Sequence, residues 1–244
     1  MNQSGNIQAR ALLIDLDDTL VAFDAVSEES WQEVCGEYAR GRDTPGVEQM
    51  VEAIREVGAW YWSDPERRHR IGRNDLARTR RTLVANAFSG LGLPEEDALL
   101  VADEYSRVRL GKMYLIPGAL RALETLRRRG ITLALLTNGD GPGQRAKIER
   151  FGIAPCVDWI FIESEIGHGK PDPRAYTRAA ELMRREPAEL CMVGDNLVWD
   201  VGGPQGVGMA GVWIDRHGEG LPADTQVRPD AIIPTIAQLP PLFA

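Results

Sequence analysis

The chain has 244 residues, 43% hydrophobic and 26% charged, with 28 Lys and Arg against 36 Asp and Glu and a formal net charge of −8. That length and apolar content suit one large α/β domain, or a core plus a smaller module. The acidic balance disfavours a nucleic-acid partner, because backbone-driven binding needs clustered Lys and Arg. Three cysteines, Cys35, Cys156 and Cys191, share no CxxC spacing, which argues against a disulfide framework or a zinc site and fits a reducing compartment.

The opening "MNQSGNIQAR" (1–10) carries no apolar h-region, and no run approaches the roughly 20 apolar residues of a spanning helix. A cytoplasmic protein with no membrane partner is expected. "ALLIDL" (11–16) reads as a first buried strand. Residues 22–112 then lack strand-like runs and show helical periodicity with breakers between, which predicts an inserted helical module. "MYLIPGAL" (113–120) returns the chain to the core.

From there strands and helices alternate. "GALRALETLRRRG" (118–130) places Leu120, Leu123 and Leu126 on one helical face, with basic residues in the last turn and Gly130 as a stop. "GQRAKIERFG" (143–152) and "PRAYTRAAELMRR" (173–185) are similar. Between and after them "ITLALLTN" (131–138), "WIFIE" (159–163), "LCMVGD" (190–195), "AGVWID" (210–215) and "DAIIP" (230–234) read as short strands covered on both faces. The predicted fold is α/β: a Rossmann-like parallel-sheet core with helices on both faces, formed by 1–21 and 113–244, with a helical module at 22–112.

Ligands of open parallel sheets bind beyond the carboxyl ends of the strands. Asp15 and Asp17 end the first predicted strand, Thr137 and Asn138 end "ITLALLTN", and Asp195 ends "LCMVGD" with Asp200 close behind. Lys170 stands in a loop before Pro171. Each alone has a plain reading as a turn former, a strand residue or a surface lysine. Together, several carboxylates around one point call for an oxygen-liganded cation such as Mg²⁺. The hydroxyl and the ammonium beside it suit a phosphate.

On these residues the chain resembles the haloacid dehalogenase-like hydrolases. "DLDDT" (15–19), "LLTNG" (135–139), "GKPDP" (169–173) and "VGDNLVWD" (193–200) match the four family motifs in order, and the resemblance spans nearly the whole chain. It implies a capped phosphatase, with 22–112 as the helical cap. It implies Asp15 as the nucleophile that becomes an aspartyl-phosphate, and Asp17 as the acid that protonates the leaving alcohol and then activates water. Mg²⁺ would be held by Asp15, Asp195 and the Asp17 carbonyl, with Asp200 acting through water. Thr137, Asn138 and Lys170 would hold the phosphoryl group. Asp18 is read as a turn or cap residue and Thr19 as a shaper of the loop.

Asp17 favours ester hydrolysis over the alternative of a dehalogenase, since halide-removing members lack a carboxylate at that place. The intact set disfavours the other alternative, a catalytically silent binding protein. "LLTNGDGPGQRAKIERFGI" is similar to the nucleoside 5′-monophosphatase and N-acylneuraminate 9-phosphatase branch. That implies a small phosphorylated substrate, a sugar phosphate or nucleotide, with the metabolite and the oligomeric state left open. Against the family pattern, Gly203-Pro204 follows the acidic motif, so the helix expected there should be short or kinked and the placement of Asp200 depends on it.

Two other signals have plain readings. "GVGMAG" (206–211) matches GxGxxG but precedes a strand rather than following one. In "WYWSDPERRHRIGR" (60–73) the aromatics are expected to pack the module's core and Arg67, Arg68, Arg70 and Arg73 to solvate its surface; attraction of a phosphorylated substrate ranks second.

Overall fold

The computed structural model describes residues 7–64 and 75–243. The four arginines of the 60–73 stretch lie outside the described residues. The chain divides into two units, Met1–Ala22 with Tyr114–Ala244, and Phe23–Met113.

The first unit is built on a six-stranded parallel sheet. Its strands are β1 (Ala11–Ile14), β4 (Thr132–Thr137), β5 (Trp159–Ile162), β6 (Leu190–Gly194), β7 (Ala210–Ile214) and β8 (Ala231–Ile233), in the order β5-β4-β1-β6-β7-β8. A separate antiparallel pair joins β2 (Val21–Ala22) to β3 (Tyr114–Leu115). All six strands read from the sequence are present, each a residue or two shorter than its apolar run. The chain builds outward from β1 through β4 to β5, then crosses back to β6 on the other side of β1. The strand order therefore reverses at β1, the switch point where such sheets open a crevice.

Alternation along the strands explains their continuous apolar runs. Ala11 and Leu13 of β1, Ala134 and Leu136 of β4, and Leu190 and Met192 of β6 share one face with Tyr176, Ala179, Ala180 and Met183. Those last four lie on one stripe of a helix, Pro173–Met183. The intervening strand residues, Leu12, Ile14, Leu133, Leu135, Cys191 and Val193, are equally buried. A sheet covered on both faces leaves no polar alternation to read. Each such side chain removed from water contributes on the order of 1.5–3 kcal/mol before ordering costs.

The second unit holds four described helices: α1 (Ser27–Ala39), α2 (Val47–Ser63), α3 (Leu76–Gly90) and α4 (Glu95–Lys112). Asp75 caps α3 by accepting from the Arg78 N–H. Glu95, Glu96 and Asp97 open α4, with Arg109 and Lys112 in its last turn, matching the helix dipole. Met50, Val51, Ile54, Val84, Phe88, Val101 and Tyr105 pack the interior, and Trp31 stacks on Tyr105 with centroids 3.5 Å apart. The expectation that the 60–62 aromatics pack this core is corrected for Trp60, which is 57% exposed; Tyr61 and Trp62 are half-buried and meet edge to face, centroids 5.0 Å apart. The buried stripe of α2 runs through Met50, Val51 and Ile54, and at about 3.6 residues per turn Trp60 falls on the opposite side.

The longer helices and one short turn that flank the sheet strands of the first unit are α5 (Ala119–Arg128), α6 (Gly141–Arg150), α7 (Glu163–Ile166) and α8 (Pro173–Met183). The "GVGMAG" glycines lead into β7 rather than out of a strand. Among the described residues, no helix is long and apolar enough to cross a membrane.

Cys35 and Cys191 are buried and Cys156 is partly exposed. Burial pushes the Cys35 thiol up to about 11 and raises Cys191 as well, so neither presents a thiolate near neutral pH. Titration of the native protein with a thiol-specific disulfide reagent at pH 8 is expected to modify Cys156 alone, with all three cysteines reacting in guanidinium.

Candidate active site

The register of the sheet sets the site. Ile14 of β1 lies level with Leu135 of β4 and Val193 of β6. The ends of these three strands therefore emerge side by side, with Asp15 one position short of the level of Thr137 and Asp195. Asp15 follows β1 directly, its N–H donating to Val193 O at 2.9 Å, while Thr137 ends β4 and Asp195 follows β6.

Lys170 joins them from a loop. Its ammonium, 1% exposed, lies 2.8 Å from Asp15 Oδ1 and 2.7 Å from Asp200 Oδ1. Burial alone would lower its pKa, but the two carboxylates override this and raise it, so the lysine is firmly charged. Asn138 holds the lysine in place: its Nδ2 donates to Lys170 O and its Oδ1 accepts the Lys170 N–H, both at 2.7 Å. The Asn138 side chain is thus committed to the Lys170 peptide.

Carboxylate oxygens of Asp15, Asp195 and Asp200 lie within 4.8 Å of one another. Burial, outweighing the Lys170 attraction, pushes the Asp15 carboxyl well above its ordinary range. Burial, then the Asp200 charge, lifts Asp195 to about 7. Carboxylates raised this way beside a lysine mark a cluster still short of positive charge. Its donors are all oxygen, so the residues fit a hard divalent cation such as Mg²⁺.

Asp17 stands apart from that cluster. Both its oxygens lie 2.7 Å from Lys147 Nζ, and Gln144 Nε2 donates to Asp17 Oδ2 at 3.1 Å. The same amide reaches Thr137 Oγ1 at 2.6 Å and Asn138 O at 2.9 Å. Asp18 adopts φ 59° and forms the turn expected of it. It also does more: Arg216 Nη1 lies 2.7 Å from Asp18 Oδ1, with Arg216 Nη2 3.3 Å from Asp195 Oδ2. Glu163, the first residue of α7, accepts the Gly139 N–H at 3.0 Å. It packs so closely on Gly169 that a Cβ there would collide with it.

Lys147, Gln144, Glu163 and Arg216 are absent from the sequence reading. One signal was available for two of them: Gln144 and Lys147, three apart on the helix that follows Thr137, share a face.

The haloacid dehalogenase-like hydrolase profile matches residues 9–208. The chain belongs to the haloacid dehalogenase-like hydrolases. It is 34% identical over 243 residues to a phosphoserine phosphatase of Thermus thermophilus, covering 91% of this chain and 94% of that protein. It is 34% identical over 125 residues to an N-acylneuraminate-9-phosphatase of Rattus norvegicus, about half of each chain (51% and 50%). The crystal structure of a 2-haloacid dehalogenase from Pseudomonas syringae matches with a TM-score of 0.66 at 27% identity, covering 96% of this chain and 97% of that one. The chain is thus an enzyme of a hydrolase family, with phosphatases among its curated relatives.

The departure from the pattern of the haloacid dehalogenase-like hydrolases at Gly203-Pro204 has a local solution. Leu197–Gly202 winds as a π-helical turn, in which the Gly203 N–H reaches back five residues to Val198 O. In that register Trp199 O would need a donor at position 204, and Pro204 has none. The Tyr176 hydroxyl of α8 supplies it, donating to Trp199 O at 2.5 Å. Gly203 makes room, since a Cβ there would meet the tyrosine oxygen. The turn starts on Asn196, whose Oδ1 accepts the Val198 and Trp199 N–H groups at 3.1 and 3.0 Å. Asp200 is thereby fully buried, one oxygen on Lys170 and the other accepting the Asn196 N–H at 3.0 Å. A Cβ at Gly194 would collide with its carboxylate.

Tyr176→Phe removes the buried hydroxyl that donates to the Trp199 carbonyl and is expected to cost about 1–3 kcal/mol in urea unfolding. Gly203→Ala, which expels the whole ring tip, should cost at least as much.

Proposed function

We propose that this protein hydrolyses phosphomonoesters of small metabolites, with Mg²⁺ held by Asp15, Asp195 and the Asp17 carbonyl, and Asp200 acting through water. The observation that carries the reading is the buried Lys170 between Asp15 and Asp200, with the Asp195 carboxylate gathered into the same cluster. Such a cluster suits a nucleophilic carboxylate working next to a cation and a dianionic substrate.

In this reading Asp15 attacks phosphorus while the bond to the leaving oxygen breaks, giving an aspartyl-phosphate. Asp17 gives its proton to that oxygen and then takes one from the water that cleaves the aspartyl-phosphate. Asp15, Asp195 and the Asp17 carbonyl would hold the metal. Asp200 is fully buried, held by Lys170 and the Asn196 N–H, which supports a role from behind, through water. When bound, the ion offsets the repulsion among these carboxylates and draws charge off the phosphoryl oxygens. Thr137, the Asn138 N–H and Lys170 hold those oxygens. The unit Phe23–Met113 is read as the family's cap, the part that selects substrate.

Substrates of the curated relatives, phosphoserine and an N-acylneuraminate 9-phosphate by their names, support a small phosphorylated metabolite. Asp17 weighs against dehalogenation despite the structural likeness to a 2-haloacid dehalogenase. Halide leaves without a proton, whereas an alkoxide needs one.

Purified protein with Mg²⁺ is expected to release phosphate from p-nitrophenyl phosphate and from members of a panel of sugar phosphates, nucleotides and phosphoamino acids. EDTA should abolish the release and added Mg²⁺ restore it. Asp15→Asn should lower kcat by at least about a thousandfold, on the scale of losing a nucleophile. Halide release from a 2-haloacid with no phosphate release from the panel would overturn the reading.

A further inference from the structure

The Asp17 carboxylate is held by a cation that the proposed chemistry does not use. Lys147 Nζ sits 2.7 Å from each Asp17 oxygen, so the ammonium bisects the carboxylate rather than touching one end. Lys147 is 6% exposed. A buried ammonium is costly unless paired, so its pairing with Asp17 is part of what lets it lie there. Gln144, one helical turn earlier on α6, adds a hydrogen bond to Asp17 Oδ2 and ties it to Thr137 Oγ1 and Asn138 O. The helix itself is fixed at its start by Asp140, whose side chain accepts the Gly143 N–H. One face of α6 therefore reaches both the carboxylate after β1 and the hydroxyl that ends β4.

We propose that Lys147, aided by Gln144, is the positioning residue of the proton carrier: it fixes the Asp17 carboxylate in orientation and in register with Thr137. The inference rests on the reading of Asp17 as the group that moves protons. A carboxylate on a short loop can rotate about its own side-chain bonds. Proton transfer needs it within hydrogen-bond reach of the leaving oxygen and then of water. Two-point attachment to a buried ammonium removes that freedom before substrate arrives, which is the pre-organisation a catalytic group needs from its surroundings. Lys147 itself touches no reacting atom in this account, so its contribution passes entirely through Asp17.

A double-mutant cycle tests this. Asp17→Asn, Lys147→Met and the double variant are compared with the parent by kcat and KM on the alkyl phosphomonoester that the parent hydrolyses fastest, whose alkoxide leaving group needs the proton, with circular dichroism reporting the fold. Lys147→Met is expected to lower kcat roughly 10- to 100-fold, the scale of a misplaced catalytic group, with KM changed less than about threefold. In the Asp17→Asn background the same change should have almost no further effect, because its target is gone. Lys147→Arg, which keeps a cation able to span both oxygens, should recover most of the loss.

Lys147→Met with parental kcat, or an equal fold-loss with and without Asp17, overturns the inference. Should Lys147→Met fail to fold, Lys147→Gln carries the same comparison. The two ideas fail differently: Asp17→Asn with parental kcat removes the proton-carrier assignment and this inference with it, whereas additive losses remove only the role of Lys147.

Discussion

One buried ammonium organises the core unit. Lys170 lies between Asp15 and Asp200, and withdrawing an ammonium from water is unfavourable unless opposite charge meets it at close range. Several features follow from that need. Asn138 spends its whole side-chain amide on the Lys170 peptide. Gly194 is bare because the Asp200 carboxylate occupies the space of a side chain there. The turn carrying Asp200 widens, and Tyr176 completes it from another helix.

The carboxylates divide into two electrostatic groups. Asp15, Asp195 and Asp200 crowd together, and burial raises the first two despite the lysine and despite Arg216. Asp17 leaves that crowd and pairs with Lys147. Two aspartates separated by one residue thus meet opposite surroundings. The division supports the distinct jobs proposed for them, one paired with Lys170 inside the cluster, the other paired with Lys147. Strand alternation would put residues 15 and 17 on one face; β1 ends at Ile14, so Asp17 lies beyond the strand and is not held to that alternation.

The parallel sheet was legible because its strands are buried on both faces and so appear as continuous apolar runs between helical stripes. The chemistry-bearing residues at strand ends were legible for a related reason: strand ends are marked by where the apolar run stops. Thr137 and Asp195 stand at such stops, and so does Asp15. Partners on helix faces and later loops were not legible. Lys147 meets Asp17 across 130 positions of chain, and Arg216 meets Asp18 across 198. Beyond the helix face that Lys147 shares with Gln144, no local pattern distinguishes these cations from the surface arginines and lysines around them. The misreading of Trp60 has the same origin, since an aromatic residue was placed in the core by its type while the helical period turned it outward.

By itself the sequence determined the order of strands and helices, the doubly covered sheet and the identity of the residues at its carboxyl edge. Those properties depend on hydrophobic periodicity and on short motifs, and both are local. Only the tertiary structure decided which charges face one another. It put Lys170 on Asp15 and Asp200, Lys147 on Asp17 and Arg216 on Asp18 and Asp195. It also resolved the Gly203-Pro204 conflict through a tyrosine from a different helix. Ion pairs and buried hydrogen bonds are satisfied in space, by whichever side chain packing brings within reach, and separation along the chain carries almost no information about that.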